Sequence, residues 1–169
     1  MKSKNTKIIV LSALLAAIIT VCTRFTAIPI FGGTGYVHIG DAFVFLAAAL
    51  LPMPYALGAA AIGGALADLF SGFVVYIFPT AIIKALMALM FFGKKTGKLI
   101  SKKNLFSVLL GISVLVVGYY IAEVIIYQNF VSPLTGMLWN LFQGIFSGIG
   151  FLLFAAALDA ANARGRLDI

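Results

Sequence analysis

The 169-residue chain is 63% hydrophobic and only 10% charged, with a mean hydropathy of +1.13; soluble domains carry about 45–50% apolar and about 25% charged residues. A water-soluble fold is excluded, because so few polar side chains cannot cover its surface. The net charge of +7 does not indicate nucleic acid either. The basic residues sit at the ends of apolar runs, as Lys2, Lys4 and Lys7, then Lys94, Lys95, Lys98, Lys102 and Lys103, then Arg164 and Arg166, which is how cytoplasmic flanks beside a lipid bilayer are distributed.

In chain order, the first apolar run, 8–25, follows three lysines but has no small-x-small cleavage site at its end. Ile19-Thr20-Val21, ahead of Cys22, also lacks the small residue of a lipoprotein signal. It is read as a retained first helix. Cys22, the single cysteine, excludes an intramolecular disulfide and reads as a small packing residue, and no Cys/His grouping has metal-site spacing.

From 41 to 73 the chain stays apolar for longer than one crossing needs, and Leu51-Pro52-Met53-Pro54 interrupts it. Two prolines bracketing one residue do not sit inside a continuous helix. The break predicts a short helix over 41–51 and a longer one over 55–72. Three more spans are predicted over 76–93, 105–127 and 136–159, each near the length that crosses about 30 Å of hydrocarbon at about 1.5 Å per residue. Six transmembrane helices with cytoplasmic N- and C-termini place every lysine-rich flank inside and leave the connections 26–39, 73–75 and 128–135, which lack Lys and Arg, outside. Five helices would put the most basic loop outside. The expectation is an all-α integral membrane protein, one domain over 1–169, in a prokaryotic plasma membrane.

Small residues recur at spacings of four, as Ala13 and Ala17, as Ala59, Gly63 and Ala67, and as Gly144 and Gly148. Such stripes let helix backbones approach closely in lipid. Most read as internal packing, while the stripe on the first helix is also suited to docking a partner.

Ionisable residues within or at the ends of the spans are Asp41, Asp68, Lys84, Glu123 and Asp159. A charge at the bilayer centre costs on the order of 2.5–3.5 kcal/mol on insertion scales, so each should face a cavity or a partner. By helix rise, Asp41, Asp68, Lys84 and Glu123 fall in the outer half, with Trp139, Asn140 and Gln143 in the first two turns of the last helix. Asn140 and Gln143 share a helix face, as do Tyr119 and Glu123. Tyr36, His38 and Tyr76 close the rim. Apart from Asp159 the inner half is apolar, which describes an outward pocket for a small, partly aromatic, hydroxylated ligand and not a polar path across the membrane.

Structural alternatives stand beside several of these residues. Asp41 after Gly40 suits a helix cap as well as a ligand contact. Asp68 and Lys84, on sequential helices, suit an internal ion pair. Tyr36, Tyr76, Tyr127 and Trp139 suit an interfacial belt, and His38 suits a loop hydrogen bond. Enzyme signatures are absent: there is no nucleophile elbow, phosphate-binding glycine loop or zinc-binding helix. No cofactor is expected, and any energy source must lie on another chain.

Tyr36-Val-His-Ile-Gly-Asp-Ala-Phe43, Ala67-Asp-Leu-Phe-Ser-Gly72 and Pro79-Thr-Ala-Ile-Ile-Lys-Ala-Leu-Met87, with six helices in this length, resemble the substrate-capture (S) components of energy-coupling factor (ECF) vitamin transporters. Ala13-Leu-Leu-Ala-Ala17 is similar to the motif with which such proteins bind their transmembrane (T) partner. The resemblance implies capture of a vitamin from outside, docking on one T component and two ATPase subunits, and delivery by toppling in the membrane. Within the family the His-Ile-Gly-Asp and Ile-Ile-Lys blocks look most like members assigned to pyridoxine or hydroxymethylpyrimidine, with riboflavin and pantothenate open. The competing readings are a stand-alone, proton-coupled secondary transporter using Asp68, Lys84 and Glu123, and an assembly protein without a ligand.

Overall fold

The structure, a computed structural model, describes residues 2–29, 36–93, 97–163 and 165. Lys94, Lys95, Arg164 and Arg166 of the basic flanks lie outside the described residues, as does the side chain of Lys2.

Among the described residues six α-helices run back and forth: α1 (Lys2–Phe25), α2 (Asp41–Leu50), α3 (Met53–Ser71), α4 (Ile77–Leu89), α5 (Lys102–Tyr127) and α6 (Pro133–Ala160). A two-residue antiparallel ladder, β1 (Ile28–Pro29) on β2 (Tyr36–Val37), follows α1. A 3-10 turn, Val74–Tyr76, leads into α4.

Local sequence sets the helix ends. Leu51 is extended, at ψ 152°, as the residue before a proline must be. Pro52 then stands at the N-cap of α3, whose first turn tolerates Pro54 because its N–H would be unsatisfied in any case. Gly72, at φ 82°, closes α3 in the left-handed region that glycine enters without steric cost. The Ser101 side chain accepts the Asn104 N–H at the start of α5.

The expectation of six transmembrane helices is corrected: four helices are long and apolar enough to cross, Lys4–Phe25, Met53–Ser71, Lys102–Tyr127 and Pro133–Ala160. Asp41–Leu50 and Val74–Leu89 are shorter. At about 1.5 Å per residue, α2 reaches about 15 Å, half the hydrocarbon thickness. Hydropathy suggested a span there because α2 is apolar all round, but its setting is protein and not lipid. Every residue of it except Phe43 is buried, and it packs against α1, α3, α4, α5 and α6. Such a helix is a core element.

Around α2 the helices close on small residues. A Cβ on Gly63 would come within 2.8 Å of the Ile19 side chain and 2.9 Å of the Ala16 carbonyl, so α1 and α3 touch backbone to side chain. Gly64 gives the same room to Lys84 and Thr80 on α4, and Gly144 to Ile112 on α5. Lipid offers no hydrophobic drive between helices, and close van der Waals approach replaces it.

Beneath the first turns of α2, Phe45, Phe91 and Phe151 form a buried aromatic layer with centroids 6.0–6.3 Å apart. At the lysine-bearing end, the Asp159 carboxylate accepts the backbone N–H groups of Leu99 and Ile100 at 2.8 and 2.9 Å, which pins the connection before α5 onto α6. Large apolar side chains such as Phe106, Leu109, Leu138, Phe142 and Leu153 face outward, as a lipid environment requires.

Candidate ligand site

A cleft opens at the end of the bundle opposite the lysines that begin α5. About 540 Å³ of space lies between its walls, open solvent at the mouth included. Helices α3 to α6 form its walls, and the segment 36–41 descends from β2 to the first turn of α2 to form its floor.

Most of the residues expected to bind ligand meet here: Tyr36, His38, Asp68, Tyr76 and Lys84 on one side, with Tyr119, Glu123, Asn140 and Gln143 on the other. Asp41 lies beneath the lining, fully buried. Trp139 does not join them; it is 42% exposed and pairs with Phe142 on the outer face of α6. One helical step of about 100° separates it from Asn140. Thr23, Gly64, Phe73, Thr80 and Gly136 also line the cleft and were not anticipated. Gly64 and Thr80 lie four residues before Asp68 and Lys84, a helical spacing that marks them as sharing those faces. Phe73 and Gly136 carried no comparable signal.

The floor is organised by an ion pair. Lys84 Nζ stands 2.6 Å from Asp41 Oδ1, with both side chains excluded from water. The approach is oblique, and neither atom has an aligned hydrogen bond. Asp41 Oδ2 accepts from Gln143 Nε2 at 2.9 Å, while Gln143 Oε1 accepts the His38 backbone N–H at 3.2 Å. Both ends of Gln143 therefore take part in holding the floor, while the residue also lines the cleft. Asp41 begins α2 without capping it, since Gly40 takes the N-cap position. Asp68 does not pair with Lys84 as one reading allowed; its Oδ1 accepts the Tyr36 hydroxyl at 2.6 Å.

The descent of the floor depends on Gly40, where a Cβ would lie 2.0 Å from Thr23 Oγ1. His38 Nδ1 accepts the Gly40 N–H at 3.0 Å, which fixes the proton of the neutral ring on Nε2. Burial, outweighing the attraction of Asp41, lowers the His38 pKa from 6.5 to about 4. Burial and then the neighbouring Asp68 carboxylate raise the Tyr36 hydroxyl above its ordinary value.

Along the mouth, aromatic rings follow one another. Tyr36 meets Phe73 at 5.0 Å between centroids, Phe73 meets Tyr76 at 6.2 Å, and Tyr76 meets Tyr119 at 6.4 Å. Hydroxyl contacts hold them, from Tyr76 to Tyr127 and from Thr80 to Tyr119. Glu123 stands against Gly136, where a Cβ would come within 2.7 Å of its carboxylate. Rings for stacking and fixed polar groups for orientation suit capture of a flat, polar-edged solute. No group of three or more His, Cys, Asp or Glu suited to a metal occurs among the described residues.

Two predictions follow from the floor. Removing one member of a buried ion pair strands the other, at a cost of about 3–5 kcal/mol, whereas replacing both with apolar residues is far milder. Lys84→Met and Asp41→Leu should each lower thermal stability in detergent sharply, and the double variant should recover part of the loss. His38 titrates normally when unfolded but resists protonation when folded, so the unfolded state binds more protons between about pH 6.5 and 4. Stability should fall as pH drops through that window, by about 3 kcal/mol at full extent, and pH-resolved melting of His38→Gln should show a flatter profile.

The family model for the ECF-type riboflavin transporter, S component, matches residues 3–160. Comparison with curated proteins and with solved structures finds no match. The family match corrects the pyridoxine or hydroxymethylpyrimidine assignment, because the family is that of riboflavin transporters; the two sequence blocks behind that assignment lie in the cleft floor and on α4. The chain belongs to the S-component family of ECF-type riboflavin transporters, and is a multi-pass plasma-membrane subunit for substrate capture, without a catalytic role, of the kind that works with an energy-coupling module.

Proposed function

We propose that this chain captures riboflavin from the outer side of the membrane and passes it to a module of one T component and two ATPase subunits. The observation that carries the reading is the cleft itself, in which a series of aromatic rings stands beside buried polar groups, within a chain of the riboflavin S-component family. The isoalloxazine of riboflavin is a flat aromatic system with a polar pyrimidinedione edge, and its ribityl chain carries hydroxyls. Rings accept the first by stacking. Asn140 and Glu123 line the cleft without a side-chain hydrogen bond among the described residues, which supports a role in meeting polar groups of the ligand. The lysines at Lys4, Lys7, Lys98, Lys102 and Lys103 set the opposite end inside, which turns the cleft mouth outward.

Riboflavin fluorescence is quenched by stacked aromatic side chains, which gives a direct assay. The purified chain should quench riboflavin saturably at one ligand per protein, and an excess of pyridoxine should not compete. Asn140→Ala and Glu123→Ala should weaken binding by about tenfold or more if each loses a hydrogen bond of about 1.5 kcal/mol. Absence of riboflavin binding by the folded chain would refute the reading.

Docking has its own surface. Ala13 and Ala17 are exposed on α1, while Leu15, Ala16 and Ile19 of the same helix face the core. Bulk at the exposed positions should block close helix approach. Ala17→Leu should therefore lose copurification with the module and retain riboflavin quenching, measured on one preparation.

A further inference from the structure

Two charged atoms in the cleft wall stay underused by the protein. Asp68 is 4% exposed; its Oδ1 holds the Tyr36 hydroxyl, but its Oδ2 is buried with no hydrogen-bond partner among the described residues. Lys84, at 1% exposure, touches Asp41 only obliquely, and its Nζ also lacks an aligned hydrogen bond. An ammonium carries three donors, so at least two remain for something else. Both residues line the same cleft from adjacent helices, α3 and α4. Buried polar atoms in native proteins are almost always satisfied, so two opposite charges with spare hydrogen-bonding capacity beside a cleft suit a ligand that carries both a donor and an acceptor.

The surroundings limit what that partner is. Lys84 Nζ lies 5.3 Å from the centre of the Tyr119 ring, and Tyr119 ends the aromatic series that begins at Tyr36. A planar ligand that turns its rim to Asp68 and Lys84 meets one acceptor and one donor, both lining the cleft. The rim must offer a donor next to an acceptor in one plane, since one wall atom accepts and the other donates. A second anion or cation would leave one of the two charges opposed.

Resting on the flavin reading above, we propose that Asp68 and Lys84 are the specificity pair for a cyclic imide edge: the ring N3–H donates to Asp68 Oδ2, and an adjacent ring carbonyl accepts from Lys84 Nζ. Asp41 and Gln143 are then positioning residues. Asp41 holds the ammonium in place from behind without using all its protons, and Gln143 holds Asp41. The ribityl hydroxyls are left to the other groups of the cleft.

Ligand analogues test this on the unaltered full-length chain in lipid nanodiscs. 3-Methylriboflavin lacks the N3–H, and lumiflavin keeps the imide edge but lacks the ribityl chain. The wild-type chain should bind 3-methylriboflavin at least about tenfold more weakly than riboflavin, the effect of one charge-assisted hydrogen bond lost at a buried acceptor. In Asp68→Ala that difference should shrink to about twofold or less, because the acceptor is gone. Asp68→Asn, which keeps the side-chain shape, should weaken lumiflavin and riboflavin by similar factors. Equal binding of riboflavin and 3-methylriboflavin by the wild-type chain overturns the proposal while leaving the flavin reading intact. So does an Asp68→Asn defect confined to riboflavin, which would place Asp68 on the ribityl chain. Failure of the wild-type chain to bind riboflavin at all overturns both.

Discussion

Lys84 and Asp41 meet where no water reaches, and the site is arranged around that contact. The pair joins α4 to the first residue of α2, Gln143 adds α6, and the Gln143 contact to the His38 backbone fixes the strand of chain that enters α2. An ion pair in this position is not an efficient source of stability, because desolvation of both charges offsets most of their attraction. Its consequence is specificity of arrangement. A lysine within an apolar helix cannot face lipid, so α4 has one acceptable rotation, and α2 must begin at the depth where its carboxylate meets that lysine.

The half-length of α2 follows from the same constraint. Asp41 is drawn down to the cleft floor, and Leu51-Pro52 stops the helix ten residues later. A helix so short, buried on nearly every side, fills the middle of the bundle in place of lipid contact. Phe45, Phe91 and Phe151 then close the space beneath. The result is a site open at one end and sealed at the other, which suits a protein that captures a solute and leaves its movement to partners.

Glycine and alanine make the arrangement possible. Lys84 runs along α3 because Gly64 offers no side chain there, and Gly63 gives α1 room to come close to α3. Thr20 uses the proximity to donate to the Gly63 carbonyl at 3.0 Å. Ala13 and Ala17, by contrast, lie on the exposed side of α1, so that this helix has one packed face and one exposed face.

Composition and the placement of lysines were enough to determine that the chain lies in a membrane, that it has six helices broken at Pro52 and Pro54, and that its polar side chains gather toward one end. These follow from local rules: charges avoid hydrocarbon, proline breaks helices, and about 1.5 Å of rise per residue converts position into depth. Sequence could not distinguish a helix surrounded by lipid from one surrounded by protein, because both are apolar, so α2 read as a crossing; α4 read as one too, but its helix is only 13 residues long. Nor could it pair charges across helices. Whether Lys84 meets Asp68 or Asp41 depends on helix rotations of tens of degrees set by contacts such as Gly64 on Lys84, and one step of about 100° sends Trp139 outward while Asn140 faces the cleft. Only the tertiary structure decided which polar atoms meet one another across helices, as Gln143 meets Asp41 and the His38 backbone, and Asp68 meets Tyr36.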